Sequence, residues 1–196
     1  MHLVKRVCVF CGSSSGKDPR HRDAAVRLGG ALARQGLGLV YGGGSIGLMG
    51  ILADAALAGG GEVTGVIPAF LKKLELGHLG LTDLRVVGTM HERKALMAEL
   101  SDAFVALPGG FGTVEEFCEV LTWAQLGLHA KPCALLNVEG FFDPLLGLFE
   151  AQVAGGFLSP EHRALVMVER AVDILVERLQ ASMSEPGIRP MDLRDA

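Results

Sequence analysis

Short apolar runs alternate with segments of helical periodicity along most of the chain. The first run, VKRVCVF, precedes a segment in which Ala25, Leu28 and Leu32 recur at helical spacing. The alternation predicts strands over 4–10, 38–41, 62–67, 84–87, 103–107, 132–137 and 164–168. It predicts helices over 19–35, 47–58, 90–101, 112–127, 142–154 and 170–182, with an irregular connection over 68–83.

The predicted strands are apolar at successive positions and do not alternate between apolar and polar residues. Strands of this kind are buried on both faces, and a helix after each strand is typical of a parallel sheet covered on both sides. We therefore predict a doubly wound α/β fold in a single domain over 1–183, with a flexible tail over 184–196. Ligands bind such folds beyond the carboxyl ends of the strands.

The composition adds limits on partners and location. The 196 residues are 49% hydrophobic and 20% charged, with a formal net charge of -4. This balance suits a domain with a full core and gives no general attraction to nucleic acid or to a membrane, so neither is expected as a partner. No apolar run approaches the roughly 20 residues of a membrane span, and no secretory pattern is visible. A soluble, cytoplasmic protein is expected.

Two of the four cysteines, Cys8 and Cys11, are spaced as C-x-x-C. A redox or zinc pair needs this spacing on a tight turn or at the start of a helix. Cys8 lies instead inside the first predicted strand, and the odd spacing sends Cys11 to the opposite face of the sheet. We interpret the cysteines as structural thiols, with a metal or redox role as the alternative.

Glycine-rich turns follow three of the predicted strands. After the first strand, three serines with Ser14 at their centre can contact an anion or cap the next helix. After the second strand, YGGGSIGLMG matches G-x-G-x-x-G, and nucleotide contact by Gly43 and Gly44 is favoured over a purely structural turn. An NAD site is disfavoured, because the only nearby acid, Glu62, precedes the third strand instead of following it.

The third turn, PGGFGTVEEF, lies between the fifth predicted strand and its helix. Such a turn can hold a phosphate on backbone amides, and Gly109, Gly110 and Gly112 are predicted to adopt positive φ. Glu115 and Glu116 are predicted in the first helical turn, where the helix dipole favours acids whatever their function. The dipole alone does not explain two carboxylates beside a loop of three glycines.

The segment MHERKALM begins the helix after the fourth predicted strand. In the α/β order this helix starts next to the PGGFGT turn, so Arg93 and Lys94 are candidates to face Glu116 across a cleft. A solvated helix face is the alternative for both cations. A capping or surface role is expected for His91, near the same end.

These segments resemble the LONELY GUY (LOG) family of cytokinin riboside 5'-monophosphate phosphoribohydrolases, many of which were once labelled lysine decarboxylases. PGGFGTVEE is similar to the family motif P-G-G-x-G-T-x-x-E, with Phe111 where plant members commonly have Tyr. Further matching segments are VFCGSS, YGGGSIGLMG, MHERKALM, LTWAQLGLHAKPCALLN and GFF at 140–142. The resemblance covers roughly residues 7–158 and implies a Rossmann-like fold.

The resemblance implies hydrolysis of the N-glycosidic bond of a nucleoside 5'-monophosphate, with release of the free base and ribose 5-phosphate. It places the catalytic pair on Arg93 and Glu116, and no metal or cofactor is expected. Together with the first two glycine-rich turns, it gives the predicted substrate-binding residues as Ser14, Gly43, Gly44, Glu75, Lys94, Gly109, Gly110, Phe111, Gly112, Thr113, Glu115 and Thr122.

Several alternatives stay open at this point. The preferred base is either a cytokinin or adenine. A nucleotide or molybdenum-cofactor carrier without turnover is the alternative function, since related Rossmann-like proteins have similar glycine turns. Pyridoxal-dependent lysine decarboxylation is disfavoured, because nothing singles out a Schiff-base lysine. A homodimer is expected, and a subunit interface and core packing explain Leu121, Trp123 and Leu126 equally well.

Overall fold

A computed structural model describes residues 4–74 and 77–182. The strands are β1 Arg6–Phe10, β2 Gly38–Tyr41, β3 Val63–Pro68, β4 Asp83–Val87, β5 Ala103–Ala106, β6 Cys133–Leu136 and β7 Val166–Glu169. The helices are α1 Pro19–Arg34, α2 Gly47–Ala58, α3 Ala69–Leu74, α4 Met90–Glu99, α5 Phe111–Gln125, α6 Asp143–Ala154, α7 Pro160–Arg163 and α8 Val172–Ser182. Within these two ranges, no helix is both long enough and apolar enough to cross a membrane.

The seven strands form one parallel sheet in the order β4-β3-β2-β1-β5-β6-β7, which confirms the predicted doubly wound α/β fold. Alternate residues of β1 face opposite sides: Val7 and Val9 pack with α1, α2 and α8, whereas Cys8 and Phe10 pack with α4, α5 and α6. Helices on both faces exclude water from the apolar strands. The strand order reverses between β1 and β5, and the crevice at their carboxyl ends is the usual ligand site of such a sheet.

The sequence prediction needs correction in the connecting segments. The connection over 68–83 is not wholly irregular, since it contains α3 and β3 extends to Pro68. The sequence pattern also misses α7 and a 3-10 turn over Val138–Gly140. With six residues in α3 and four in α7, these segments are too short to show helical periodicity. The tail predicted over 184–196 lies outside the described residues.

The C-x-x-C cysteines are buried on opposite faces of the sheet, as the spacing predicts. Cys8 belongs to the core beside α5, and Cys11 belongs to the core beside α1. Burial raises the pKa of both thiols, and the nearby Glu116 carboxylate raises it further. Both groups therefore stay protonated at neutral pH, which suits a structural role.

Candidate active site

The three glycine-rich turns meet at the carboxyl end of the sheet, beside the β1–β5 crevice. Gly12 joins all three, because its amide donates to the Pro108 carbonyl at 3.1 Å and its carbonyl accepts from the Leu48 amide at 3.0 Å. Gly47 has a φ of 63°, and a Cβ there would lie 2.2 Å from the carbonyl carbon of Ser13. The turns thus approach each other so closely that the backbone leaves no room for side chains at these points.

The PGGFGT turn leads directly into α5, which begins at Phe111 with Gly110 as its N-cap. Amides in a first helical turn lack intrahelical acceptors, so this end of α5 is suited to an anion. The predicted positive φ of Gly109, Gly110 and Gly112 is wrong, since none of the three adopts it. Close packing explains Gly109 instead, because a Cβ there would lie 2.1 Å from Thr113 Oγ1.

The two carboxylates of α5 do not lie in its first turn, which corrects the sequence prediction. Because α5 begins at Phe111, Glu115 and Glu116 fall in the second turn, where the dipole effect has largely decayed. Their environments differ: the side chain of Glu116 is 10% exposed, and that of Glu115 is 55% exposed. The two neighbouring acids are therefore suited to different tasks.

Arg93 faces Glu116, as predicted, in a buried ion pair. The side chain of Arg93 is 8% exposed, and Nη1 lies 3.7 Å from Glu116 Oε1. Nε donates to the Val66 carbonyl and Nη2 to the Gly42 carbonyl, each at 3.1 Å. A buried charge is tolerated when it is both paired and hydrogen-bonded, and these contacts satisfy that condition while fixing the guanidinium.

The start of α4 places Arg93 at this point. The Thr89 hydroxyl caps the helix by accepting from the Glu92 amide at 3.1 Å, and the Glu92 carboxylate accepts from the Gly88 amide at 2.8 Å. These bonds define the first turn of α4 directly after β4. Arg93 closes this turn, its amide donating to the Thr89 carbonyl at 3.1 Å, and its side chain extends across the carboxyl ends of β3 and β2.

Lys94 contacts the outer carboxylates of α5. Its Nζ lies 2.5 Å from Glu115 Oε1 and 3.0 Å from Glu119 Oε1. Burial alone would lower the pKa of Lys94, but hydrogen bonds to Glu115 and then Glu119 outweigh it and raise the pKa. Glu119 is absent from the sequence prediction, although its spacing of four residues from Glu115 places both acids on one face of α5.

The two predicted contacts in the β2–α2 turn are covered by other residues. Gly43 and Gly44 are buried, with the Gly43 carbonyl accepting from the His78 amide at 3.0 Å and the Gly44 carbonyl accepting from the Tyr41 hydroxyl at 3.1 Å. Ser14 is exposed, and its hydroxyl oxygen accepts from the Gly16 amide at 3.3 Å. Of these three predicted residues, Ser14 is the one that is exposed to solvent.

The remaining predicted substrate-binding residues do not all lie beside the Arg93–Glu116 pair. Phe111, at the start of α5, is 98% exposed. Thr122 lies seven residues beyond Glu115, about 10 Å further along the helix at 1.5 Å per residue, and its hydroxyl donates to the Cys118 carbonyl. Glu75 lies outside the described residues. The structure therefore brings the cations of α4 to the carboxylates of α5 but leaves Thr122 well down the helix.

The charges define what the site can do chemically. Three carboxylates of α5 face two cations of α4, so the carboxylate region is suited to stabilising positive charge. The first-turn amides of α5 are suited to a negative group such as phosphate. Among the side chains that the structure describes, no group of three or more His, Cys, Asp or Glu is arranged to hold a metal ion.

The chain is similar to proteins of known family along most of its length. A family model described as "possible lysine decarboxylase" matches residues 49–179. A rice protein (Oryza sativa subsp. japonica), named a probable cytokinin riboside 5'-monophosphate phosphoribohydrolase, is 56% identical over 90% of this chain and 78% of its own length. A cytokinin riboside 5'-monophosphate phosphoribohydrolase of Arabidopsis thaliana is 49% identical over 90% of this chain and 83% of its own length.

Solved structures share the fold at low sequence identity. The molybdenum cofactor carrier protein of Chlamydomonas reinhardtii has a TM-score of 0.71 at 23% identity, covering 92% of this chain and 99% of its own. The molybdenum cofactor binding protein of Rippkaea orientalis has a TM-score of 0.70 at 21% identity, covering 94% and 99%. These likenesses concern the fold alone, whereas the two sequence relatives are 56% and 49% identical to this chain over 176 aligned residues. The chain therefore belongs to the LOG family of cytokinin riboside 5'-monophosphate phosphoribohydrolases.

Proposed function

We propose that this protein hydrolyses the N-glycosidic bond of a nucleoside 5'-monophosphate and releases the free base and ribose 5-phosphate. The observation that carries the proposal is the buried Arg93–Glu116 ion pair, with 3.7 Å between Nη1 and Oε1, beside the glycine-rich start of α5. The substrate class is supported by the relatives, whose names specify a riboside 5'-monophosphate.

The phosphate binds, in this proposal, at the first-turn amides of α5. The helix N-terminus carries partial positive charge, and the glycines of the turn let the ligand approach the backbone. Lys94 Nζ lies 2.5 Å from Glu115 Oε1, so the positive charge of Lys94 offsets a carboxylate that would otherwise repel the phosphate. Glu115 then contacts the ribose.

The buried carboxylate acts on the ribose as the bond breaks. The electron pair of the C1'–N bond leaves with the base, and positive charge builds at C1' and the ring oxygen. Glu116 stabilises this charge and orients the water that adds to C1', while the proton released from that water passes to the departing base. Arg93 orients Glu116 through their ion pair, with 3.7 Å between Nη1 and Oε1, and stabilises negative charge on the departing base.

The proposal includes self-association as a homodimer and a cytoplasmic location, in a single domain over 1–183. An interface near the end of α5 is supported by Leu126 and Leu128, which are 48% and 70% exposed. Leu121 and Trp123 instead pack against the core cluster beside α5. Cytokinin nucleotides and AMP are the two candidate substrates.

Base release from matched nucleotides and nucleosides tests the proposed reaction. The protein is incubated with AMP, with isopentenyladenosine 5'-monophosphate and with the two nucleosides, and base and ribose 5-phosphate are quantified. Equimolar products are expected from at least one nucleotide, and turnover of the nucleoside at least about 100-fold lower, because binding energy from the phosphate contributes to catalysis. Nucleotide binding without base release would overturn the proposal and favour a carrier.

A further inference from the structure

The segment that starts at Gly77 contacts both the β2–α2 glycine turn and helix α2. Gly77 pairs with Gly44 in an antiparallel bridge, and the His78 amide donates to the Gly43 carbonyl at 3.0 Å. The imidazole of His78 is 12% exposed, and its Nε2 lies 2.9 Å from Oδ1 of Asp54 in α2. The segment therefore holds the turn through its backbone and holds α2 through the His78 side chain.

The hydrogen bonds around His78 assign its tautomer. The Gly80 amide donates to Nδ1 at 3.1 Å, so Nδ1 is the acceptor and Nε2–H donates to Asp54. Both ring nitrogens are thus engaged, and the ring cannot rotate without losing one of these bonds. The Asp54 carboxylate fixes the orientation of the imidazole and, with it, the segment that covers the turn.

The same turn supports Arg93. The Gly42 carbonyl accepts from Arg93 Nη2 at 3.1 Å. The turn has little freedom to move, since a Cβ on Gly42 would lie 2.0 Å from that nitrogen and a Cβ on Gly65 would lie 2.8 Å from Gly43 Cα. A displacement of the turn would therefore be transmitted to the guanidinium.

We propose that His78 and Asp54 are a positioning pair for Arg93. They hold the β2–α2 turn against the guanidinium and thereby keep Nη1 oriented toward Glu116. They act through the Gly42 carbonyl and not on the substrate. The inference rests on the proposed function, in which Arg93 takes part in the cleavage of the bond.

Turnover of four variants tests the pair: Asp54→Ala, Asp54→Asn, His78→Ala and, as a control, Glu150→Ala. Glu150 is also an exposed helical acid, with Arg163 Nε at 2.9 Å. Asp54→Ala and His78→Ala are expected to lower kcat about 10-fold with KM nearly unchanged, since Arg93 acts in the transition state. Asp54→Asn keeps an acceptor for Nε2–H, so its kcat should stay within about twofold of the wild type, as should that of the control.

Wild-type kcat in both alanine variants would overturn the positioning role while leaving the hydrolase proposal intact. An Asp54→Asn variant as slow as Asp54→Ala would also overturn it, because the hydrogen bond would then not be the cause. All rates are compared below the onset of unfolding of the least stable variant, so that a loss of folded protein is not mistaken for a loss of kcat.

A second measurement does not depend on turnover. Exchange of the Arg93 Nε–H with water, followed by ¹⁵N NMR, reports how firmly the guanidinium is held against the Val66 carbonyl. Asp54→Ala and His78→Ala should accelerate this exchange about 10-fold, and Asp54→Asn should not. An unchanged exchange rate in both alanine variants overturns the inference whatever the turnover. Accelerated exchange in a protein that cleaves no nucleotide would instead support the positioning role and reject the proposed function.

Discussion

Replacing Gly42 with alanine would show how closely activity depends on the position of Arg93. A Cβ at residue 42 would lie 2.0 Å from Arg93 Nη2 and 3.1 Å from Met49 Sδ. Because non-bonded carbon and nitrogen atoms do not approach closer than about 3 Å in packed interiors, the guanidinium must move by about 1 Å. This movement breaks the 3.1 Å bond to the Gly42 carbonyl and changes the 3.7 Å separation from Glu116.

The size of the effect follows from that displacement. A misplacement of about 1 Å can cost about 100-fold in rate, or about 2.7 kcal/mol of the activation barrier. Overpacking lowers the free energy of unfolding by about 1–3 kcal/mol, so the Gly42→Ala variant should fold with a Tm lower by several degrees. Steady-state release of base should show a kcat about 100-fold lower with little change in KM.

Gly147→Ala is the matched control for this substitution. Gly147 lies on the exposed face of α6, and beyond its chain neighbours and the backbone of its own helix no described atom would lie within 4 Å of a Cβ there. This control should keep its activity and gain up to about 1 kcal/mol in stability, because alanine is the better helix former. Wild-type kcat in Gly42→Ala would refute the reasoning that the position of Arg93 limits the reaction.

Three further predictions concern other parts of the molecule. Cys118 is half-buried, whereas the other three cysteines are buried. Brief alkylation of the native protein, followed by mass spectrometry, should therefore show label on Cys118 first. Equal labelling of all four thiols would contradict the burial of the other three. Burial lowers the pKa of His129, whose ring bonds the Val120 carbonyl. The unfolded chain therefore binds a proton at His129 more readily than the folded protein does. The free energy of unfolding should fall as pH drops below about 6.5. Urea titrations at several pH values should show a weaker pH dependence in the His129→Gln variant. Gly47→Ala should cost more than about 2 kcal/mol by urea unfolding, given its positive φ and a Cβ 2.2 Å from Ser13; an unchanged midpoint would contradict this.

Most of the sheet is predictable because its strands are short apolar runs that end at turns, although the edge strand β4, DLRVV, is partly exposed. The pairing of Arg93 with Glu116 is expected from the resemblance to the LOG family and is present in the structure. Strand order alone does not predict it, because β3, β2 and β1 separate β4 from β5 in the sheet, so α4 does not begin beside the PGGFGT turn as expected. The exact start of α5 and the backbone conformation of the PGGFGT turn are harder to predict from the sequence. The start of α5 at Phe111 moves both acids into the second turn, and the close approach of Thr113 explains Gly109 without positive φ.

The support of Arg93 could not be predicted from periodicity. Its two backbone acceptors, Gly42 and Val66, are 51 and 27 residues away along the chain. The contact between His78 and Asp54 arises in a connection whose sequence has no regular pattern. Such contacts depend on how turns from different strands pack together, which local hydrophobic patterns do not encode.

The most direct test of the catalytic assignment is the Glu116→Gln variant, measured for both base release and nucleotide affinity. Glutamine keeps the shape of the side chain but removes the charge that the oxocarbenium-like transition state requires. We expect kcat for the preferred nucleotide to fall about 1,000-fold while Kd for that nucleotide stays within about threefold of the wild type. Glu150→Gln, the matched control on α6, should keep both values. Wild-type kcat in Glu116→Gln would contradict the account.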